Sequence, residues 1–191
     1  MVTRSTRGDD KRVERSKAKL LAETYRQLVK NGIGGVSIDE IARITGISKT
    51  TIYRHWPSRS ALLIDACSRL GSVPELPDTG SLKGDVRVLL TQLADQLQTA
   101  NWSSVYPSIL DAAERDREVA TLQAALHRAF MTPFEEVVQR AKAKGEISRL
   151  SSSGDWVAVL VGPFFYCRWF SKQKIDKGFI NRVIDLIIRE G

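Results

Sequence analysis

The amino-acid sequence predicts an all-α fold of about nine helices, a small three-helix unit at the N-terminus followed by a larger helical domain. Three observations carry that expectation. Apolar residues recur at helical spacing through most of the chain, no alternating strand pattern of useful length occurs, and a breaker-rich stretch (Gly71, Pro74, Pro77, Gly80) divides a basic first third from a neutral remainder.

The first helix is expected over 11–31, where Leu21, Tyr25, Leu28 and Val29 follow the i, i+4, i+7, i+8 rule and Asn31-Gly32 stops it. Ser37 then supplies an N-cap, with Glu40 three residues on completing a capping box and Val36 with Ile41 as its hydrophobic staple. This second helix ends at Gly46. Ser48 caps a third, with Thr51 at its third position and Ile47 with Ile52 as a second staple. The third helix stops by Pro57, and Ser58 caps a fourth whose buried stripe is Leu62, Leu63, Ala66, Cys67 and Leu70.

Beyond the breakers, Leu82, Val86, Leu89, Leu90, Leu93 and Leu97 form one stripe and Val105, Ile109, Ala112 and Ala113 a shorter one. Leu122, Leu126, Phe130, Phe134, Val137, Val138 and Ala141 form a long stripe ended by Gly145, in a helix that Pro133 should kink or break. Two last segments, 153–171 and 176–189, are richest in large apolar residues. The expected organisation is an arm at 1–10, a helix-turn-helix domain at 11–57, a connecting helix at 58–73 and a helical domain at 81–191.

Charge is distributed unevenly. Residues 1–70 hold 14 Lys/Arg against 7 Asp/Glu, and 71–191 hold 15 of each, so the whole formal excess of +7 sits in the first third. A basic module on a neutral partner domain is what a phosphate-binding unit would show. The longest apolar run, Val157 to Phe165, falls short of the ~20 residues that span a bilayer, and the N-terminus has no apolar signal core. A cytoplasmic, reduced protein is expected. Cys67 and Cys167 are a hundred positions apart and read as small buried residues.

The chain has two histidines and no His-Glu-x-x-His, Gly-rich phosphate loop or nucleophile elbow, so neither an enzyme nor a metal or cofactor site is expected. The acidic group Asp111, Glu114, Asp116 and Glu118 reads as a solvated helix end beside Arg115 and Arg117 rather than as a recombinase metal site.

Two short capped helices about the turn Thr45-Gly46-Ile47 meet the requirement for holding a second helix at a fixed angle, ready for a major groove. Ile52 and Trp56 face the core, which leaves Lys49, Thr50, Tyr53 and Arg54 outward as donors for base edges and phosphates. Ser48 is counted with this set, and Arg4 and Arg7 of the arm could reach a minor groove.

The runs Val36-Ser37-Ile38-Asp39-Glu40-Ile41-Ala42 and Gly46 through Leu63 resemble the DNA-binding domain of the TetR family of transcriptional regulators. Thr50, Trp56 and Arg59 stand where that family usually has a small residue, Phe and Lys. The resemblance implies that Lys49, Thr50 and Arg54 approach base edges, and that Ser37, Thr51, Tyr53, His55 and Arg59 lie on phosphates. The C-terminal half resembles one branch of the family through Leu82-Lys83-Gly84-Asp85, Arg140-Ala141, Lys144-Gly145-Glu146-Ile147 and Gly162-Pro163.

That likeness implies an effector-binding and dimerisation domain whose last two helices pair with a second copy. A homodimeric repressor, released from a pseudo-palindromic duplex by a small molecule, is the function expected. An activator or an effector-independent architectural protein is the alternative. The interface candidates are Trp156, Leu160, Phe164, Phe179, Val183, Ile184 and Ile187. Pocket candidates are Trp102, Tyr106, His127, Phe130, Phe134, Trp156 and Tyr166, although for each one alone core packing, or for His127 a surface position, is the simpler reading.

Overall fold

A computed structural model describes residues 6–67 and 74–188, with the backbone alone for 6–10 and 100–104. Among the described residues it is all-helical: α1 (Thr6–Asn31), α2 (Ile38–Thr45), α3 (Lys49–His55), α4 (Arg59–Cys67), α5 (Leu82–Gln98), α6 (Ala100–Ala113), α7 (Arg117–Lys144), α8 (Ser153–Phe165) and α9 (Lys177–Ile187). A 3-10 turn at Ile33–Gly35 precedes α2, and a π-helical turn, Tyr166–Ser171, extends α8. None of these helices is long and apolar enough to cross a membrane.

The chain sorts into two compact units, residues 1–72 with 104–126, and residues 73–103 with 127–191. Residues 104–126 cluster with the N-terminal helices. α1 begins at Thr6, within the stretch expected to be an arm. α7 continues through Pro133 unbroken. Arg4 and Leu70 lie outside the described residues, as does the side chain of Arg7.

In the first unit α1 packs against α2 and α4. Its buried face holds Leu20, Leu21 and Leu28 together with Glu23, Thr24 and Gln27, so half of it is polar. Ile33, Ile41, Ile52, Leu62, Leu63, Ala66 and Cys67 complete this core. Burial pushes the Cys67 thiol up to about 12, which keeps it protonated and unreactive at neutral pH.

In the second unit α5 packs on α9 and α8. The Leu82 to Leu97 stripe is buried throughout, as are Phe130, Phe134, Val137, Val138 and Ala141 of α7. Gly145 adopts φ +77°, the left-handed conformation that lets the Glu146 amide return to the Ala141 carbonyl and close α7. The Glu146 carboxylate then accepts from the Leu82 amide at 2.8 Å and caps α5.

Asp85 anchors this unit. It is 2% exposed, its Oδ1 accepts from the Thr79 amide (2.6 Å) and hydroxyl (2.7 Å), and its Oδ2 accepts from Arg140 Nη2 (2.6 Å). Arg140 also donates to the Pro77 carbonyl, so one ion pair ties the segment before α5 to α7. Desolvation raises the Asp85 carboxyl, but the hydrogen bonds from Thr79 and the Arg140 charge together outweigh it and hold the group below its ordinary range.

A depressed folded-state pKa stabilises above the unfolded value of about 3.9 and stops doing so as pH falls through the folded value. Asp85→Asn should therefore lose about 3 kcal/mol in denaturant titrations at pH 7, the cost of removing the buried carboxylate that pairs with Arg140. The gap to wild type should narrow below about pH 4. A gap that stays constant across this range would show that the Asp85 charge is not what anchors the unit.

Candidate nucleic-acid interface

α2 is fixed at both ends. Ser37, extended at φ −119°, accepts the Glu40 amide on its hydroxyl at 3.3 Å. The reciprocal half of the expected capping box is absent, because the Glu40 carboxylate is held by Arg43 in a two-point ion pair (2.7 and 2.5 Å). The Ser37 amide instead donates to the buried Gln27 Oε1 at 3.0 Å, and Gln27 donates to Glu23 at 2.9 Å. At the other end Lys19 Nζ donates to the Thr45 carbonyl at 2.7 Å. Gly46 follows at φ +69°, with its amide on Ala42.

That left-handed residue starts the turn into α3. Ser48 caps α3, accepting from the Thr51 amide at 3.3 Å with its hydroxyl 3.0 Å from that of Thr51. Ile52 is 1% and Trp56 6% exposed, and the Trp56 indole N–H donates to Asp65 Oδ2 at 2.9 Å. The opposite face holds Lys49, Thr50, Tyr53 and Arg54, all exposed. The structure thus brings the expected reading residues together on the outward side of one short helix.

Arg59, for which the family likeness implies a phosphate contact, is engaged by the backbone of its own unit. Its guanidinium turns inward, donating from Nη2 to the Ile33 carbonyl (2.5 Å) and from Nε to that of Val36 (3.3 Å). It fastens the turn that leads into α2. Gln27 and Lys19, which hydropathy missed, hold backbone groups of the same segment, since each is polar and acts through the backbone.

His55, half-buried, meets Trp56 edge-on with ring centroids 5.8 Å apart. It borders a cleft of about 430 Å³ between α1 and α3, lined by Arg12, Ser16, Ser48, Thr51 and Arg54 among others. Desolvation lowers the His55 pKa, and the nearby Lys17 and Arg54 charges lower it further against a weaker opposing pull from Glu14. The free protein therefore holds His55 neutral at pH 7.

The other candidate groups are less coherent. Tyr106 belongs to the first unit, while His127, Phe130, Phe134, Trp156 and Tyr166 belong to the second, and the Trp102 side chain is outside the described residues. Tyr106 is buried and shares a hydrogen bond with Gln123, and its phenol is raised chiefly by desolvation. Phe130 and Phe134 are core, and His127 is exposed. Trp156 borders a surface cleft of about 270 Å³ with Ser151, Ser152, Asp155, Val159 and Ile187.

The interface candidates need correction. Leu160, Phe164, Val183 and Ile184 are at most 5% exposed within a single chain, so they are core and have no surface to offer a partner. Phe179 is half-buried and packs edge-on against Phe164, ring centroids 5.2 Å apart. The apolar surface of this region is instead Val159, Tyr166, Phe170 and Leu186, with the half-buried Trp156 and Ile187 beside it.

Residues 20–66 match the family model of bacterial regulatory proteins, tetR family, and residues 76–187 match that of the tetracyclin repressor-like C-terminal domain. A DNA-binding transcriptional repressor, TetR, of Mycobacteroides abscessus is 28% identical over 190 residues, covering 94% of this chain and 97% of that one. The HTH-type transcriptional regulator AqdR of Rhodococcus erythropolis is 28% identical over 150 residues, 78% of this chain and 72% of that protein. Among solved structures, Salmonella enterica GusR superposes with a TM-score of 0.69 at 16% identity, covering 92% of this chain and 96% of its own. Bacillus subtilis FadR, solved with stearoyl-CoA, superposes at 0.67 and 14% identity, covering 90% and 97%.

A phosphate brought to the His55 cleft would favour the imidazolium and raise its pKa, so duplex binding should take up a proton. Affinity for a labelled duplex should therefore rise as pH falls from 7.5 to 5.5, and His55→Gln should flatten that dependence. An unchanged pH profile in the variant would place phosphate away from this cleft.

Proposed function

The chain belongs to the TetR family of bacterial regulatory proteins, which are DNA-binding transcriptional regulators and not enzymes, and on that premise we propose that it is a cytoplasmic repressor that binds a pseudo-palindromic operator as a homodimer and leaves it when a small molecule occupies the second unit. The observation that carries this reading is the outward face of α3: four exposed residues able to donate hydrogen bonds, on a helix whose inner face is pinned by Ile52 and Trp56. A helix so fixed can present the same donors to a major groove at every encounter.

In this reading the two recognition helices of a dimer lie about 34–36 Å apart, one duplex turn, and so read two half-sites. Lys49, Thr50 and Arg54 approach base edges, while Tyr53, His55, Ser37, Ser48 and Thr51 settle the unit on phosphates. The effector acts by binding more tightly to the conformation in which the reading helices are wrongly spaced, a coupling of about 1–3 kcal/mol. Support for a small-molecule site comes from the neighbour FadR, solved with stearoyl-CoA, at the level of the fold.

The dimer forms through the exposed side of α8 and α9. Val159, Tyr166, Phe170 and Leu186 are 53–78% exposed, an apolar surface that a monomer would leave in water.

Fluorescence anisotropy tests the first part, with a labelled duplex from the chain's own upstream region set beside a scrambled one. Wild type should prefer the upstream duplex. Tyr53→Ala should weaken both alike, whereas Thr50→Ala and Arg54→Ala should also erode the preference, by about 1–3 kcal/mol for each lost base contact. A triple variant that binds as wild type does would remove α3 from the interface. Sedimentation tests the second part: Leu186→Asp should shift the protein toward monomer at an unchanged melting temperature, and a dimer that persists in this variant and in Val159→Asp would put the interface elsewhere.

A further inference from the structure

The exposed face of α2 and α3 carries a carboxylate against its first cation. Asp39, in the first turn of α2, accepts from the Lys49 ammonium at the start of α3, with Oδ1 and Nζ 2.6 Å apart. The Asp39 side chain is 75% and that of Lys49 58% exposed. An exposed pair of this kind contributes about 0–1 kcal/mol to folding, so stability does not account for it. Arg43 is held in the same manner by Glu40, while Arg54 has no carboxylate partner among the described residues.

We propose that Asp39 is a specificity determinant of the reading head, holding Lys49 away from the phosphates of non-operator DNA and releasing it only where a base-edge acceptor competes for the ammonium. The inference rests on the reading of α2 and α3 as the DNA-binding surface. Non-specific affinity comes almost entirely from cations placed against phosphates, so cancelling one cation per reading head lowers it directly. On the operator, an acceptor in the groove such as guanine O6 or N7 takes the ammonium from Asp39, and the carboxylate costs less there than elsewhere. Specificity is a difference of affinities, and a repulsive group that weakens the wrong complex more than the right one increases it.

The competing account gives Asp39 a purely helical task, since a carboxylate in the first turn of α2 complements the helix dipole. A double-mutant cycle separates the two. Anisotropy is measured over a salt series for wild type, Asp39→Asn, Lys49→Gln and the double variant, against a random-sequence duplex and the upstream duplex. Asp39→Asn should bind the random duplex several-fold more tightly, with a log–log salt slope steeper by about 1.8, the value for two added phosphate contacts, one at each reading head of the dimer. The upstream duplex should gain less, so the preference falls. In the Lys49→Gln background the same substitution should leave the slope unchanged.

An equal gain in that background would reduce Asp39 to a general field effect, and a loss of upstream binding alone would make Asp39 itself a base contact. Either result overturns the proposal, as does an Asp39→Asn protein that binds both duplexes as wild type does. A wild-type protein that binds neither duplex would overturn the DNA-binding reading with it.

Discussion

The reading surface depends on hydrogen bonds made by α1 to the two ends of α2. Gln27 takes the amide that the capping residue Ser37 leaves open, and Lys19 takes the last carbonyl before Gly46. α2 is only eight residues long, too short to hold its own direction in water. Clamped at both ends, it becomes a fixed strut, and the left-handed Gly46 turns the chain from it into α3. The clamp is demanding because Gln27 and Glu23 are buried: each polar atom left without a partner would cost about 1–3 kcal/mol. A network that is costly unless complete favours one arrangement over its neighbours.

The two units divide polar and apolar work differently. In the first, polar side chains from α1 and α4 fix backbone groups of the segment around α2, and the outward charges remain for a partner. In the second, the ion pair of the buried Asp85 with Arg140 fastens the lead-in to α5, the Glu146 carboxylate caps that helix, and the core itself is aliphatic and aromatic packing. Among its exposed side chains Val159, Tyr166, Phe170 and Leu186 are large and apolar, in keeping with a second copy of the chain as the partner.

Much of this was legible in the sequence, because a helix buried on one face writes that face as a 3.6-residue period. The Leu82 to Leu97 and Leu122 to Ala141 stripes, the caps at Ser37, Ser48 and Ser58, and the inward Ile52 and Trp56 all stand where that rule puts them. The rule counts only apolar residues, and so it missed Glu23, Thr24 and Gln27 on the buried face of α1. The hydrogen bonds of Arg59 to the Ile33 and Val36 carbonyls were not legible, because no sequence pattern reports which carbonyls a guanidinium will find. A period also cannot tell burial within a chain from burial between chains. Leu160, Phe164, Val183 and Ile184 form a correct stripe whose partner is their own unit. Of the kink or break expected at Pro133, the break does not occur, since α7 runs on through it.

α2 and α3 are the surface proposed to meet DNA. Backbone amide shifts recorded on the isotope-labelled protein, before and after addition of the upstream duplex, test this most directly. The large changes should fall between Ser37 and His55, strongest at Thr50, Tyr53 and Arg54, with small ones around Arg12 and Ser16. Changes that spread over the second unit while residues 37–55 stay still would contradict the account, whatever affinity the mixture showed.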